Sequence, residues 1–157
     1  MPLEIERKFL VKDETWQGPW RVWPIRQGYL TSADATTVRV RVSGPKGYLT
    51  VKHDRGGPVR AEYEYEVPVA DADEMLRLCA QPLIEKLRHH VPFDGRTWEV
   101  DVFGGANAGL VLAEIEFDRL PQRLALPPWV GREVTDDARY RNAYLARHPF
   151  TTWRTAA

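Results

Sequence analysis

Cysteine is nearly absent from this chain: among 157 residues only Cys79 carries a thiol. No intrachain disulfide can form, so a reducing, cytoplasmic setting is expected. Cys79 sits beside Leu76 and Leu78 in DADEMLRLCAQ and reads as core filler, the usual role of a lone thiol among apolar neighbours. Net charge is absent as well. Twenty-two Lys and Arg balance 22 Asp and Glu, which argues against a protein that coats nucleic acid by charge alone and leaves room for a local basic pocket. No apolar run approaches the length of a membrane span, and no apolar leader precedes a cleavage site, so neither a membrane partner nor export is expected. No GxxxxGK[ST] loop occurs, so phosphate binding would not use a P-loop. His53, His89, His90 and His148 have no metal-ligand spacing with cysteine. There is no internal repeat and no low-complexity segment.

The composition is that of a soluble globular chain, with 43% hydrophobic and 28% charged residues. The length suits one domain, 1–157, with its own core. Gly and Pro punctuate a series of short strands: LEIERKFLV, IRQGYLT, TTVRVRV, GYLTVKH, RAEYEYEVP, LIEKLRHHV, RTWEVDVF and GLVLAEIEF. SGPKG and RGGP read as turns, GGANAG as a Gly/Asn hairpin and PPWVG as a rigid loop. Asp71 and Glu74 form a capping-box pattern that starts a helix with an apolar stripe of Met75, Leu76, Cys79 and Ala80. A second helix is expected over 136–148, followed by a fraying tail, TTWRTAA. Short links make the strands antiparallel. The expected class is α+β, mainly β.

The period of two along each strand sorts the charges. Glu4, Glu6 and Lys8 share a face. So do Arg39 and Arg41, opposite Val38, Val40 and Val42. The same sorting groups Thr50 with Lys52, Glu62 with Glu64 and Glu66, Lys86 with Arg88, Glu99 with Asp101, and Glu114 with Glu116. A solvated sheet face is the ordinary account of any one such strand. Across seven strands the charged face is nearly free of Ser, Gln and Asn and falls mostly into blocks of one sign, which repel unless something opposite lies between them. Inter-strand salt bridges would meet that need; a bound polyanion with metal cations meets it better.

Eight antiparallel strands can close into a barrel. The charged face then lines a tunnel, and the apolar face packs under helices on the outside. Arg39, Arg41, Lys52, Lys86 and Arg88 suit phosphate, Arg through bidentate contacts and Lys as a point charge, with Lys8 helping. Glu4, Glu6, Glu114 and Glu116 form an oxygen-only set for a hard divalent cation, Mg²⁺ or Mn²⁺ over Zn²⁺.

EIERK resembles the ExExK signature of the CYTH superfamily, the triphosphate tunnel metalloenzymes. The likeness continues through VRVR, YLTVK, EYEYEVP, IEKLR, WEVDVF and AEIEF to EVTDDARYRN, nearly the whole chain. It implies a closed eight-stranded tunnel that binds a small-molecule triphosphate with divalent metal. By position it makes Glu4, Glu6, Glu114 and Glu116 metal acids, with Glu62 and Glu64 as further acids and Asp101 beside them. It makes Lys8, Arg39, Arg41, Lys52 and Arg88 phosphate-binding bases. In short bacterial members a Tyr–Lys pair helps to activate water, and Tyr29 and Lys86 lie in the matching segments. A lysine among cations has its ammonium disfavoured, which suits a general base. Arg139, Tyr140 and Asn142 match a recurrent family segment, read as packing the last helix on the tunnel wall.

The expected activity is hydrolysis of a linear triphosphate, inorganic tripolyphosphate first. Thiamine triphosphatase would need an aromatic cradle, for which TWQGPWRVW offers tryptophans. Class IV adenylate cyclase would need an adenine pocket that the sequence does not reveal. A polyphosphate- or nucleotide-binding module without turnover is a rival from another class, disfavoured by the many carboxylates. A lipocalin-like carrier should have an apolar lumen. A homodimer is left open.

Overall fold

The computed structural model describes residues 3–33, 35–55, 58–119, 121 and 123–153. The glycines of the RGGP breaker and the last four residues of the tail lie outside that set. Among these residues nine strands run in the order β1 Leu3–Val11, β2 Arg21–Ala33, β3 Thr36–Ser43, β4 Lys46–Asp54, β5 Val59–Val67, β6 Ile84–Phe93, β7 Arg96–Phe103, β8 Val111–Phe117 and β9 Val130–Glu133. Two helices join them, α1 Val69–Leu76 and α2 Asn142–Arg147.

The sheet order β5-β4-β3-β2-β6-β7-β8-β1 closes on itself because β1 also pairs with β5. The closing seam is short and antiparallel: Leu3, Glu4 and Ile5 face Ala61, Arg60 and Val59. Farther along, the small ninth strand takes over, with Phe9 opposite Glu133 and Val11 opposite Val130. Between the two, the Glu6 amide donates to the Pro58 carbonyl at 3.1 Å and the Val134 amide to the Lys8 carbonyl at 2.8 Å. The Lys8 amide donates to Thr135 Oγ1 at 3.0 Å. These bonds satisfy backbone groups that a barrel rim would otherwise leave bare. The sequence pattern finds the eight barrel strands and misses β9, whose four residues are too few to show alternation.

Outside the barrel, Ile5, Phe9, Val91, Trp98, Val100, Ala113, Ile115 and Phe117 form the largest core cluster. Trp16 and Trp129 cover it from two loops, so loop tryptophans do the work expected of a helix. A second cluster packs Val40 and Val42 under Ala72 and Leu76 of α1. Strand glycines admit this helix: a Cβ on Gly47 would meet the Ala72 Cβ at 2.9 Å, and one on Gly28 would meet Cys79 Sγ at 2.6 Å. Cys79 is thus packing, as its setting suggests. The capping box does not form. The helix begins at Val69 on a Pro68 cap without a side-chain bond, and Asp71 lies inside its first turn, favourable to the dipole. It ends at Leu76, which leaves Ala80 exposed rather than on the stripe.

The expected helix over 136–148 is broken. Asp137 caps a single 3-10 turn, Ala138–Tyr140, and Arg141 is extended before α2 begins. GGANAG joins antiparallel neighbours as expected, but through a 3-10 turn, Gly105–Asn107, rather than a two-residue hairpin. Gly105 and Gly109 take positive φ there, and the buried Asn107 accepts the Phe150 amide at 2.8 Å. Helix α1 packs on the outer face of the barrel. Ile84, Phe103 and Leu112 carry the same parity as Lys86 and Asp101, and Tyr140, Leu145 and Ala146 pack onto them. The C-terminal segment therefore fills one end of the lumen with apolar side chains.

Candidate functional site

Closure turns the charged faces inward around a cavity of about 790 Å³. Glu4, Glu6, Lys8, Tyr29, Arg39, Arg41, Lys52, Glu62, Glu64, Lys86, Arg88, Glu114 and Glu116, all of them candidates from the sequence, line it. Asp101, the remaining candidate, is fully buried in the wall. Burial of so many charges is costly unless they are paired or hold a ligand.

Register sets the pairs. Glu6 stands directly opposite Glu116, and Lys8 opposite Glu114. Lys52 faces Glu62, and Arg88 faces Asp101. Two carboxylates directly opposite repel, and Glu4 joins them. Carboxylate oxygens of Glu4, Glu6 and Glu116 lie within 4.8 Å of one another. Their protonation shows the strain. Burial, the hydrogen bond that its protonated carboxyl donates to Glu4 and the charges of Glu99, Glu4 and Glu6 push Glu116 up to about 9, although the residue is exposed within the cavity. Burial also raises Glu4, but the Lys52 ammonium, the hydrogen bond with Glu116 and the Arg39 charge outweigh it and hold the carboxyl at about 2. Burial, partly offset by Lys52, then Glu4 and Glu64, carry Glu62 to about 7. A set of hard oxygen donors that cannot all ionise at neutral pH fits a divalent cation, which would replace the shared proton.

The other carboxylates answer to cations. Asp101 accepts from Arg88 Nε and Nη2, both at 2.8 Å, and pairs with Lys86 Nζ at 2.8 Å. Glu114 lies 3.4 Å from Lys8 and 3.5 Å from Arg88. Burial opposes ionisation of both, yet Arg88 and Lys86 keep Asp101 low, and Lys8 and Arg88 keep Glu114 well below the usual range. The structure thus gathers Glu4, Glu6 and Glu116 as one metal-competent group and sets Asp101 and Glu114 apart as holders of bases.

The cations ring the same space. Lys52 reaches Glu4 at 2.9 Å, and Arg39 reaches Glu64 at 3.5 Å. The buried Nε atoms of Arg39 and Arg60 have no hydrogen-bond partner among the described residues. Orphaned guanidinium donors beside a cavity suit phosphate oxygens. Lys86 is a base whose ammonium form is strongly disfavoured. Burial and the Arg88 and Arg41 charges, against Asp101 and Glu114, bring its ammonium down to about 7. Among the described residues no hydrogen bond joins Tyr29 to it; the two connect through Gln27 and Asn142.

Sequence reasoning missed Arg60, which pairs with Glu6 at 3.4 Å, although it shares the parity of Glu62 and Glu64. It placed Glu99 on the charged face but not in the site; Glu99 lies 2.8 Å from Arg88. Gln27 shares the parity of Tyr29. Arg141, which pairs with Asp54 at 2.8 Å, and Asn142 follow no period, because they arrive with the folded-back C-terminal segment.

In sequence and in fold the chain resembles known proteins. The CYTH domain family model matches residues 2–143. An inorganic triphosphatase of Acetivibrio thermocellus is 48% identical over 158 residues, covering 98% of this chain and 99% of that protein. One from Nitrosomonas europaea is 40% identical over 147 residues, covering 91% and 96%. A crystal structure of an inorganic triphosphatase superposes with a TM-score of 0.67 at 38% identity, over 90% of this chain and 96% of that one.

Proposed function

The chain belongs to the CYTH domain family, and from that premise we propose that it hydrolyses a linear triphosphate, inorganic tripolyphosphate to diphosphate and phosphate, with a divalent cation. The observation that carries this is the pairing of two groups in one cavity: the Glu4, Glu6 and Glu116 oxygens within 4.8 Å of one another, and the orphaned Nε of Arg39.

Glu4, Glu6 and Glu116 would hold the cation, with Glu62 and Glu64 beside them; Mg²⁺ and Mn²⁺ are the hard cations of choice for such a set. When bound, the cation supplies neutralisation of the phosphate oxygens. Lys8, Arg39, Arg41, Lys52 and Arg88 bind the phosphates and spread the charge that develops in the transition state. Asp101 and Glu114 orient Lys86, Arg88 and Lys8. Lys86, with its ammonium brought down to about 7, takes the proton of the attacking water as general base. Oxygen of that water bonds to the terminal phosphorus, the bridging P–O bond breaks, and diphosphate leaves with the bond's electron pair. The barrel acts as a single domain. A chain with a single cysteine, Cys79, suits a reducing, cytoplasmic setting.

A thiamine cradle finds no support. Trp16 is buried in the outer core with Trp20 packed against it, and no tryptophan lines the cavity among the described residues. Phosphate release from tripolyphosphate, thiamine triphosphate and ATP, measured side by side, tests the assignment. Preference for tripolyphosphate supports it. Preference for either organic triphosphate overturns the inorganic substrate.

A further inference from the structure

The segment that folds back into the lumen touches the two lysines at that end. Lys8 Nζ donates to the Tyr140 carbonyl at 3.0 Å. Two residues on, Asn142 Oδ1 accepts from Lys86 Nζ at 3.0 Å. The same oxygen accepts from Gln27 Nε2 at 3.2 Å. Gln27 is fully buried, and its Oε1 accepts from Arg41 Nε at 2.7 Å. Its Nε2 also reaches the Tyr29 hydroxyl, at 3.4 Å.

This geometry restricts the Lys86 amine. Asp101 Oδ2 forms an ion pair with it at 2.8 Å, and Asn142 Oδ1 accepts its hydrogen bond at 3.0 Å. We propose that Asn142 is a positioning residue for the hydrolysis proposed above: its side-chain oxygen, braced by Gln27, holds the Lys86 amine in the orientation that serves the attacking water. The inference rests on the triphosphatase proposal. It gives the C-terminal segment a place in the active site, beyond packing on the tunnel wall. Without the oxygen, the amine turns about its last carbon–carbon bond, and loss of alignment at a reacting atom costs up to about a hundredfold in rate.

The test compares wild type, Asn142→Ala and Asn142→Asp with tripolyphosphate and Mn²⁺ from pH 6 to 9.5. Asn142→Ala should lower kcat about ten- to hundredfold while KM stays within about twofold. Asn142→Asp keeps an acceptor in place and should regain most of kcat, with its rise displaced to higher pH because the new charge favours the ammonium. A kcat for Asn142→Ala within twofold of wild type overturns the proposal. So does an Asn142→Asp enzyme as impaired as Asn142→Ala at every pH, the signature of a packing role. A second readout needs no turnover. In ¹⁵N-lysine spectra the Lys86 ζ protons should exchange with water faster in Asn142→Ala than in wild type, and not in Asn142→Asp. If the wild-type chain releases no phosphate, the triphosphatase proposal fails by itself, and the exchange rates decide whether Asn142 holds the amine: equal rates in wild type and Asn142→Ala overturn that hold.

Discussion

Lys86 is the residue whose environment most clearly sets its chemistry. Burial and neighbouring guanidinium groups bring its ammonium down to about 7, so the basic amine accumulates as pH rises through neutrality. Turnover should climb with pH through about 7 and level off above it. Lys86→Arg keeps a charge that does not titrate in this range and should lose that climb together with about 10²–10⁴-fold of kcat. A pH–rate profile of the two proteins checks this; the same profile in both would remove Lys86 from the role of base. Arg39 and Glu4 test the two halves of the site separately. Arg39→Ala should lose about a hundredfold in kcat/KM or more, as expected when a donor to developing charge is removed. Glu4→Gln should raise the Mn²⁺ concentration needed for half-maximal rate. Both should keep the wild-type far-ultraviolet circular dichroism, since each side chain faces the cavity rather than the outer core.

At the scale of elements, strands and helices differ in how well the sequence announces them. Alternation in TTVRVRV or LEIERKFLV survives into the barrel because a one-residue slip would put Arg39 or Glu4 into the apolar shell. The site residues carried on those strands are legible for the same reason. Helix ends are less so. Asp71 and Glu74 fit a capping box, yet Pro68 starts α1 earlier, and the extended Arg141 splits the last helix so that Asn142 reaches Lys86 and Gln27. That break answers to tertiary contacts, which no local pattern records. The docking of α1 gives a stability prediction. A Cβ at Gly47 would meet the Ala72 Cβ at 2.9 Å and the Val67 carbonyl oxygen at 3.0 Å. Gly47→Ala should therefore cost about 1–3 kcal/mol through overpacking. A lower urea midpoint with an unchanged slope would show it; an unchanged midpoint would mean that α1 shifts at no cost.

For the whole molecule, a closed barrel brings seam and site together. β1 pairs with β5 at Glu4 and with β8 at Glu6 and Lys8, so the strand that closes the tunnel also carries Glu4 and Glu6, two of the three acids proposed to hold the cation. The fold class and the charged face follow from alternation and charge sorting along the strands; closure into a tunnel is what the family resemblance adds. What the sequence does not disclose is the division of labour among the acids: Asp101 and Glu116 look alike in a strand pattern, and only register shows one clamped by Arg88 and the other opposite Glu6. That division has a thermodynamic consequence. Glu116 and Glu62 have folded-state values raised to about 9 and about 7. Between about pH 5 and 7 the folded state holds protons that the unfolded chain has released, so stability without metal should fall as pH rises through that window. Above pH 7, Lys86 acts in the opposite sense, because its lowered value lets the unfolded chain bind the extra proton, and the fall should level off. A cation that replaces the shared proton removes the penalty. Its stabilisation, read as a rise in Tm, should therefore be larger at pH 7 than at pH 5. A rise that is the same at both pH values would separate the metal from these carboxylates.

The most direct measurement is the initial rate of phosphate release from tripolyphosphate by the wild-type chain with Mg²⁺, with Mn²⁺ and with EDTA. One phosphate and one diphosphate per tripolyphosphate consumed are expected with either cation, and no release in EDTA. No release with either cation, or release that EDTA leaves untouched, from a folded protein would contradict the proposed hydrolysis with a divalent cation.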